Sequence, residues 1–304
     1  MKHLLQLSGL GIYTDQFPRA DTLAAALKPK SPAEASVKKH SALNGLIPPA
    51  GYKPSAELES QISSCDPVAH YAFYAIDQAL HAEEFSSKQI SFERMALVLL
   101  SGWGTMDSTM AYLESMFDAD GRYASPLSFT RSINSSLASL AVIHFGIHGP
   151  CETLAHDSWP VAGPLERAVD ILDCDHADAV IVCWTDQTSP IAMDMCRQAV
   201  TKLHRPEFKR FLDGPCGYGS VAMIFGRVES LNTGGVILDP QPTKAPVTRD
   251  EPWSMPLDFK PFATDNALCL AAAVMQRILN GNQPAPIYLC ETAHHGQKRY
   301  LSIL

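Results

Sequence analysis

Two runs of apolar residues constrain this chain more than any other feature of its sequence. Residues 94–100, RMALVLL, and 178–184, DAVIVCW, are apolar throughout after a charged first residue. A strand with one wet face alternates apolar and polar side chains, whereas a strand of five or six consecutive apolar residues is buried on both faces. Between and around these runs lie segments with apolar residues at helical spacing: 67–83 (PVAHYAFYAIDQALHAE), 107–118, 132–145 and about 162–173. A short strand is predicted at about 151–157, two more at 217–227 and 235–238, and one or two at 286–304. Residues 3–8 read as a strand ending at Gly9-Leu10-Gly11. An alanine-rich helix is predicted over 264–280, a loop over the proline- and charge-rich stretch 239–262, and a surface excursion over 21–58. Strand, helix and strand in this order imply parallel strands covered by helices, an α/β architecture.

The bulk properties narrow the function. The chain has 304 residues, 46% hydrophobic and 18% charged, with a formal net charge of −8. That length allows one large domain or two ordinary ones. The negative balance gives no electrostatic reason to bind nucleic acid or an anionic membrane. Eight cysteines form no CxxC pair, and most lie in apolar runs, so reduced core thiols in a cytoplasmic protein are expected, with no metal site and no cofactor. The opening MKHLLQLSGLGIYTD lacks the features of a signal peptide, and no run approaches the roughly 20 apolar residues that cross a bilayer, so membrane insertion is not expected.

The segment 125–150, SPLSFTRSINSSLASLAVIHFGIHGP, runs into CETLAHDSWPVAGPLERAVDILDCDHADAVIVCWTD. Together they hold Ser125-Pro126, a helix of small and apolar residues, the turn Gly146-Ile147-His148-Gly149-Pro150, a strand, a helix, the turn Asp175-His176-Ala177-Asp178 and a buried strand. This order is similar to the heart of a β-ketoacyl synthase of the thiolase superfamily, and Leu7 to Gly11 and Gly214 to Phe225 resemble that family's first strand and its later glycine-rich strands. The resemblance implies a pseudo-duplicated, layered α/β/α/β/α fold with a truncated second half. It places a ketosynthase-like N-terminal half at 1–240 and a shortened C-terminal half at 241–304.

The same alignment implies lost catalysis. The nucleophilic cysteine position falls on Ser158, and one catalytic histidine position falls on Asn266. The His-Gly-Thr loop that carries the second histidine is absent from the sequence. A thiolate attacks a thioester readily, whereas a serine hydroxyl needs a base. With all three groups gone, the chain resembles a chain-length factor, most closely the truncated partner subunit of aryl-polyene-type type II systems. That role implies a heterodimer with a full-length β-ketoacyl synthase, which supplies the catalytic residues, and an acyl carrier protein reached through the complex. The family pairs through the strand before the nucleophile, here Cys151, Glu152, Thr153, Leu154, Ala155, His156 and Asp157. Side chains that cap the partner's acyl tunnel would come from the helix over 107–118, namely Met110, Leu113, Met116 and Phe117, with Phe129 and Ile133 facing them. The plain alternative is that this apolar face is ordinary core.

Other readings remain open. Ser158 with its neighbours His156 and Asp157 suggests a Ser-His-Asp triad, but adjacent residues in a strand face opposite sides and HDSWP is not a Gly-x-Ser-x-Gly elbow. An acyltransferase or hydrolase using Ser158, and a pure scaffold, therefore stand as alternatives to a chain-length factor. Pro164 predicts that the following helix starts later than in an active synthase. His294-His295 reads as a surface pair, and Gly214-Pro-Cys-Gly-Tyr-Gly lacks the lysine of a phosphate loop.

Overall fold

The computed structural model describes residues 4–14, 18–26, 46–49, 52–63, 65–86, 90–118, 122, 124–155, 159–187, 189–206, 209, 212, 219–228, 236–240, 242, 255–257, 267, 270–275, 287–292 and 298–304. Among the described residues nine strands join into one sheet in the order β3-β2-β4-β5-β1-β6-β9-β8-β7. They are β1 (Leu5–Thr14), β2 (Met95–Ser101), β3 (Cys151–Ala155), β4 (Ala179–Asp186), β5 (Gly219–Arg227), β6 (Ile237–Asp239), β7 (Met255–Leu257), β8 (Ile287–Thr292) and β9 (Lys298–Ile303). The helices are α1 (Ala20–Ala26), α2 (Ala56–Ile62), α3 (Pro67–Leu80), α4 (Glu83–Ser86), α5 (Met106–Asp118), α6 (Pro126–Ser132), α7 (Ser135–Phe145), α8 (Ala162–Asp173) and α9 (Pro190–Thr201).

The sheet repeats itself. In its first arm β2 is parallel to β3 and β4, and β5 runs antiparallel to both β4 and β1. In the second arm β7 is parallel to β8, and β9 runs antiparallel to both β8 and β6. β6 therefore corresponds to β1, β9 to β5, β8 to β4 and β7 to β2. Among the described residues β3 has no counterpart. The arms meet where β1 pairs antiparallel with β6, Leu5 opposite Leu238.

Both faces of the first arm are covered, as its apolar runs require. On one side Leu97, Leu99, Ile181 and Ile224 pack under α2, α3 and α7. On the other, Val98, Val180, Met223 and Phe225 pack with α8 and the helical segment 270–275. The same cluster includes Leu289, Leu301 and Ile303 of the second arm. Contacts of α8 with β2, β4 and β9 place it between the two arms. Helix, sheet, helix, sheet is four of the five layers the resemblance implies; no helix is described on the outer face of the second arm.

Several sequence expectations need correction. β1 does not end at its glycines but runs through them to Thr14. They are required because α3 lies almost on the backbone of β1: a Cβ at Gly9 would stand 2.5 Å from the Ala79 carbonyl oxygen, and one at Gly11 1.9 Å from that of Ala75. The helix predicted over 132–145 starts only at Ser135, and a separate helix, α6, precedes it because Ile133 is extended (φ −84°, ψ 121°) and divides the two. The loop predicted over 239–262 contains β7. The supposed surface excursion is anchored by buried Leu23, Leu46, Ile47 and Leu58. Among the described cysteines Cys183 and Cys196 are buried, but Cys151 and Cys174 are exposed.

The turn from α8 into β4 is held electrostatically. Asp175 has φ 59°, a left-handed conformation unusual for a side chain bearing a Cβ. It accepts from Arg227 at 2.7 Å and Arg94 at 2.9 Å, and these guanidinium groups, Arg227 first, hold its carboxyl below the usual carboxylate range.

The α3–β1 approach yields a stability prediction. Gly11→Ala should cost about 3 kcal/mol or more, since the new methyl meets backbone that cannot rotate away. Gly146→Ala, at φ 66° but in open space, should cost only about 1 kcal/mol. Urea denaturation of the two variants measures the difference.

Candidate functional site

Ser158 and Asn266, together with His156 and Asp157, lie outside the described residues, as do His294-His295 and the 213–218 stretch. The frame around position 158 is well defined. β3 ends at Ala155, and Trp159 lies against the protein, only 9% exposed. The Arg299 guanidinium of β9 sits 4.6 Å over the Trp159 ring and donates to Glu166 of α8 at 2.6 Å. On the other side the Trp184 indole, fully buried, donates to the Pro160 carbonyl at 2.6 Å. The 159–160 segment is thus clamped by one residue from each arm of the sheet. No sequence signal singled out Arg299, which lies 133 residues from Glu166.

α8 begins at Ala162, beyond position 158, with Pro164 accommodated in its first turn. The Gly163 amide donates to the Trp159 carbonyl at 2.9 Å, and Pro164 has no amide proton. Val161 at the N-cap provides no side-chain cap. The start of α8 therefore has two fewer donors for stabilising negative charge near it than an open helix terminus.

The second region is apolar and exposed. No residue of α5 is buried: Met110, Leu113 and Met116 are half-buried and Phe117 is 79% exposed. α6 also buries nothing, and Phe129 and Ile133 are exposed. The Tyr112 and Phe129 rings meet at 5.3 Å and join α5 to α6. The apolar face of α5 is thus not part of this chain's own core. Sequence reasoning missed three further members of the surface: Leu127, Leu140 and Ile143, the last 76% exposed. Leu140 and Ile143 belong to α7, which packs beside β3.

Among the described residues β3 forms one end of the sheet and pairs with β2 alone. Cys151 and Ala155 are exposed, and Leu154 packs on the core. Cys151 reaches the surface, but protein packed around it partly desolvates the thiol and, with the Glu152 carboxylate adding to this, raises it above its ordinary value, so it is not an activated nucleophile. Glu152 is held bidentate by Arg167 at 2.5 and 2.6 Å. Cys183 is pushed up to about 12 by complete burial and is inert. No cluster of metal-ligating side chains occurs among the described residues, and no described helix is long and apolar enough to cross a membrane.

No protein-family model matches the sequence, and no curated protein is significantly similar to it. Solved structures do match. One is a chain of the ishigamide ketosynthase/chain length factor, at TM-score 0.66 and 12% identity, covering 98% of each chain. The fold is that of a ketosynthase. A second match is the type II polyketide complex AntDE:AntF, an acyl-carrier protein with its ketosynthase bound to the hexaketide, at TM-score 0.63 and 12% identity over 100% of this chain and 99% of the other. A third is the ketosynthase ApeO in complex with its chain length factor ApeC from Xenorhabdus doucetiae, at TM-score 0.58 and 13% identity over 99% of both chains. In sequence, position 158 falls between the end of β3 at Ala155 and the start of α8 at Ala162, and among the described residues β3 is the outermost strand of the first arm.

The exposed surface makes a prediction for the chain by itself. Phe117→Ser and Ile143→Ser should change its stability by no more than about 0.5 kcal/mol. Leu99→Ala, in the buried β2, should cost about 2–5 kcal/mol. Chemical denaturation of the three variants separates surface from core, and a Phe117→Ser loss equal to that of Leu99→Ala would put the helix in the core after all.

Proposed function

We propose that this chain is a non-catalytic, chain-length-factor-like subunit that pairs with an active β-ketoacyl synthase and shapes its acyl tunnel. The observation that carries the reading is the β3 edge, unpaired among the described residues and flanked by the exposed apolar faces of α5, α6 and α7, in a ketosynthase fold; the sequence resemblance adds that the catalytic positions fall on Ser158 and Asn266. An unpaired strand edge beside exposed apolar helices is a liability in a monomer and an asset in an obligate pair. On this reading β3, with His156 and Asp157 next to it in sequence, pairs with the synthase, and the two halves of the chain, 1–240 and 241–304, act as one unit. The complex condenses malonyl units onto an acyl chain delivered by an acyl carrier protein in the cytoplasm, in type II polyketide biosynthesis of the aryl-polyene type or in fatty-acid biosynthesis. The structures of a ketosynthase with its chain length factor, and of one with its carrier protein, support this by fold.

Assembly and chemistry are tested together. Co-expression with the synthase should give a tight 1:1 heterodimer on size exclusion, burying roughly 2,000 Å² or more. Incubated alone with acyl- and malonyl-carrier protein, the chain should gain no mass. A stable acyl adduct on Ser158 would instead favour an acyltransferase or hydrolase, and a well-behaved monomer indifferent to any synthase would remove the pairing.

Tunnel shaping is tested within the complex. Alanine at Met110, Leu113, Met116 or Phe117 removes bulk that the chain's own core does not use, so the heterodimer should make longer products at a melting temperature within a few degrees of the parent. Alanine at Phe129 or Ile133 tests the facing positions. A complex that loses stability while its products stay the same length would reduce the pure scaffold to the better description.

A further inference from the structure

α5 buries no side chain, yet it holds a defined position. A helix of 13 residues is marginal in water without tertiary support, and the apolar side chains of α5 are at most half-buried. Polar contacts gathered at its N-terminus add to that partial packing. The Asp66 carboxylate is itself buried, only 6% exposed. Its Oδ1 accepts the Val68 amide at 3.1 Å and caps α3. Its Oδ2 accepts both the Ser108 amide at 3.1 Å and the Ser108 hydroxyl at 2.5 Å, in the first turn of α5. One carboxylate thus caps two helices whose starts are about 40 residues apart.

The rest of the socket agrees. Buried Asp186, at the end of β4, accepts the Ser101 hydroxyl at 3.1 Å, the Gly102 amide at 2.7 Å and the Trp103 amide at 3.1 Å. Gln187 donates to Asp107 at 3.0 Å. Gly104, at φ 59°, lies so close to Asn134 that a Cβ would stand 2.0 Å from its Oδ1. α6 is tied to α5 in turn, the Ser125 amide donating to Ser115 at 3.2 Å and the Thr109 hydroxyl to the Ser132 carbonyl at 3.3 Å. α3 is rigid, with eight buried residues. α5 has none, so the bond through Asp66 carries position from the packed helix to the unpacked one.

We propose that Asp66 is the positioning residue of the tunnel-facing helix: its double cap fixes the direction in which Met110, Leu113 and Met116 are presented to the partner. This rests on the tunnel-shaping role proposed above. Asp66→Asn leaves one oxygen where there were two. Asparagine caps helices as well as aspartate, so α3 stays capped while an amide NH₂ faces the Ser108 donors. Hydrogen exchange read by mass spectrometry should show the amides of α5 exchanging about fivefold faster, the worth of one capping bond, with β2 and β4 unchanged. Ser108→Ala, which leaves Asp66 and the α3 cap intact, should loosen the same helix to a smaller extent and serves if Asp66→Asn does not fold.

In the heterodimer with its synthase, Asp66→Asn should broaden product length in both directions, because a loosened helix no longer presents one fixed cap, whereas Met110→Ala should only lengthen products. Unchanged exchange in α5 for both variants overturns the proposal. So does an unchanged product distribution with Asp66→Asn when Met110→Ala shifts it. If neither variant alters product length although α5 loosens, the tunnel-shaping role itself has failed, and the positioning role falls with it.

Discussion

The outer side of β3 is the constraint on which the rest of this structure depends. β3 runs parallel to β2, and parallel strands are found almost entirely in covered sheets. Edge strands in stable monomers are kept from pairing by inward charges, bulges or a covering element. Here the strand carries one charged residue, Glu152, and Arg167 takes that charge into a bidentate pair. The helix beside it, α7, turns Ile143 to solvent rather than a lysine or glutamate. On the proposed reading, this edge, unpaired among the described residues and next to an apolar helix, is a surface built to continue into another chain.

On the proposed reading, the duplicated sheet explains why a catalytic frame can decay without the fold collapsing. Each arm has its own antiparallel middle strand, β5 in one and β9 in the other, and the layer between them is filled by α8 and the 270–275 segment. That packing does not require a reactive residue at the entrance to α8. What stands there is a clasp, with Arg299 from the second arm stacked on Trp159 and paired to Glu166. The ion pair is partly exposed and contributes modestly by itself. Its geometric effect is larger, because it ties the β3–α8 junction to the opposite arm.

What the sequence reveals follows from how each feature is stabilised. β2 and β4 are legible because burial on both faces removes every polar alternation, and α3, α5 and α8 because their apolar spacing is regular. β1 is misread at Gly9 and Gly11, since a glycine that admits a helix against a strand looks the same in sequence as one that turns the chain. β7 is hidden because Pro256 sits within a charged, proline-rich stretch. α9 announces itself through Ser189-Pro190, and the Ser189 hydroxyl does cap it at Ile191, 3.2 Å away, but the apolar pattern behind that start is thin. At the site, Met110 to Phe117 are visible as an apolar face, yet whether such a face is core or surface depends on what packs above it. Leu127, Leu140 and Ile143 are missed for that reason. The first half of the Asp66 cap is readable in Asp66-Pro67, a helix start; the second half lies 42 residues away and only folding brings it near.

On the proposed reading, the way α5 is held bears on how product length can vary. In a packed core a change of one methylene is felt as strain or as a cavity, so side chains there answer to stability first. A helix anchored by Asp66, Asp107 and the α6 contacts, with its apolar face left outside the chain's core, is released from that demand. Met110, Leu113 and Met116 can change size while the sheet, the α3 packing and the β3 edge stay as they are. On the proposed reading, stability resides in the two arms, partner choice in β3 and α7, and chain length in α5, three properties on three separate sets of residues. Such a separation lets substitutions on one helix retune the product of a complex without first having to be compatible with the fold of the subunit that carries it.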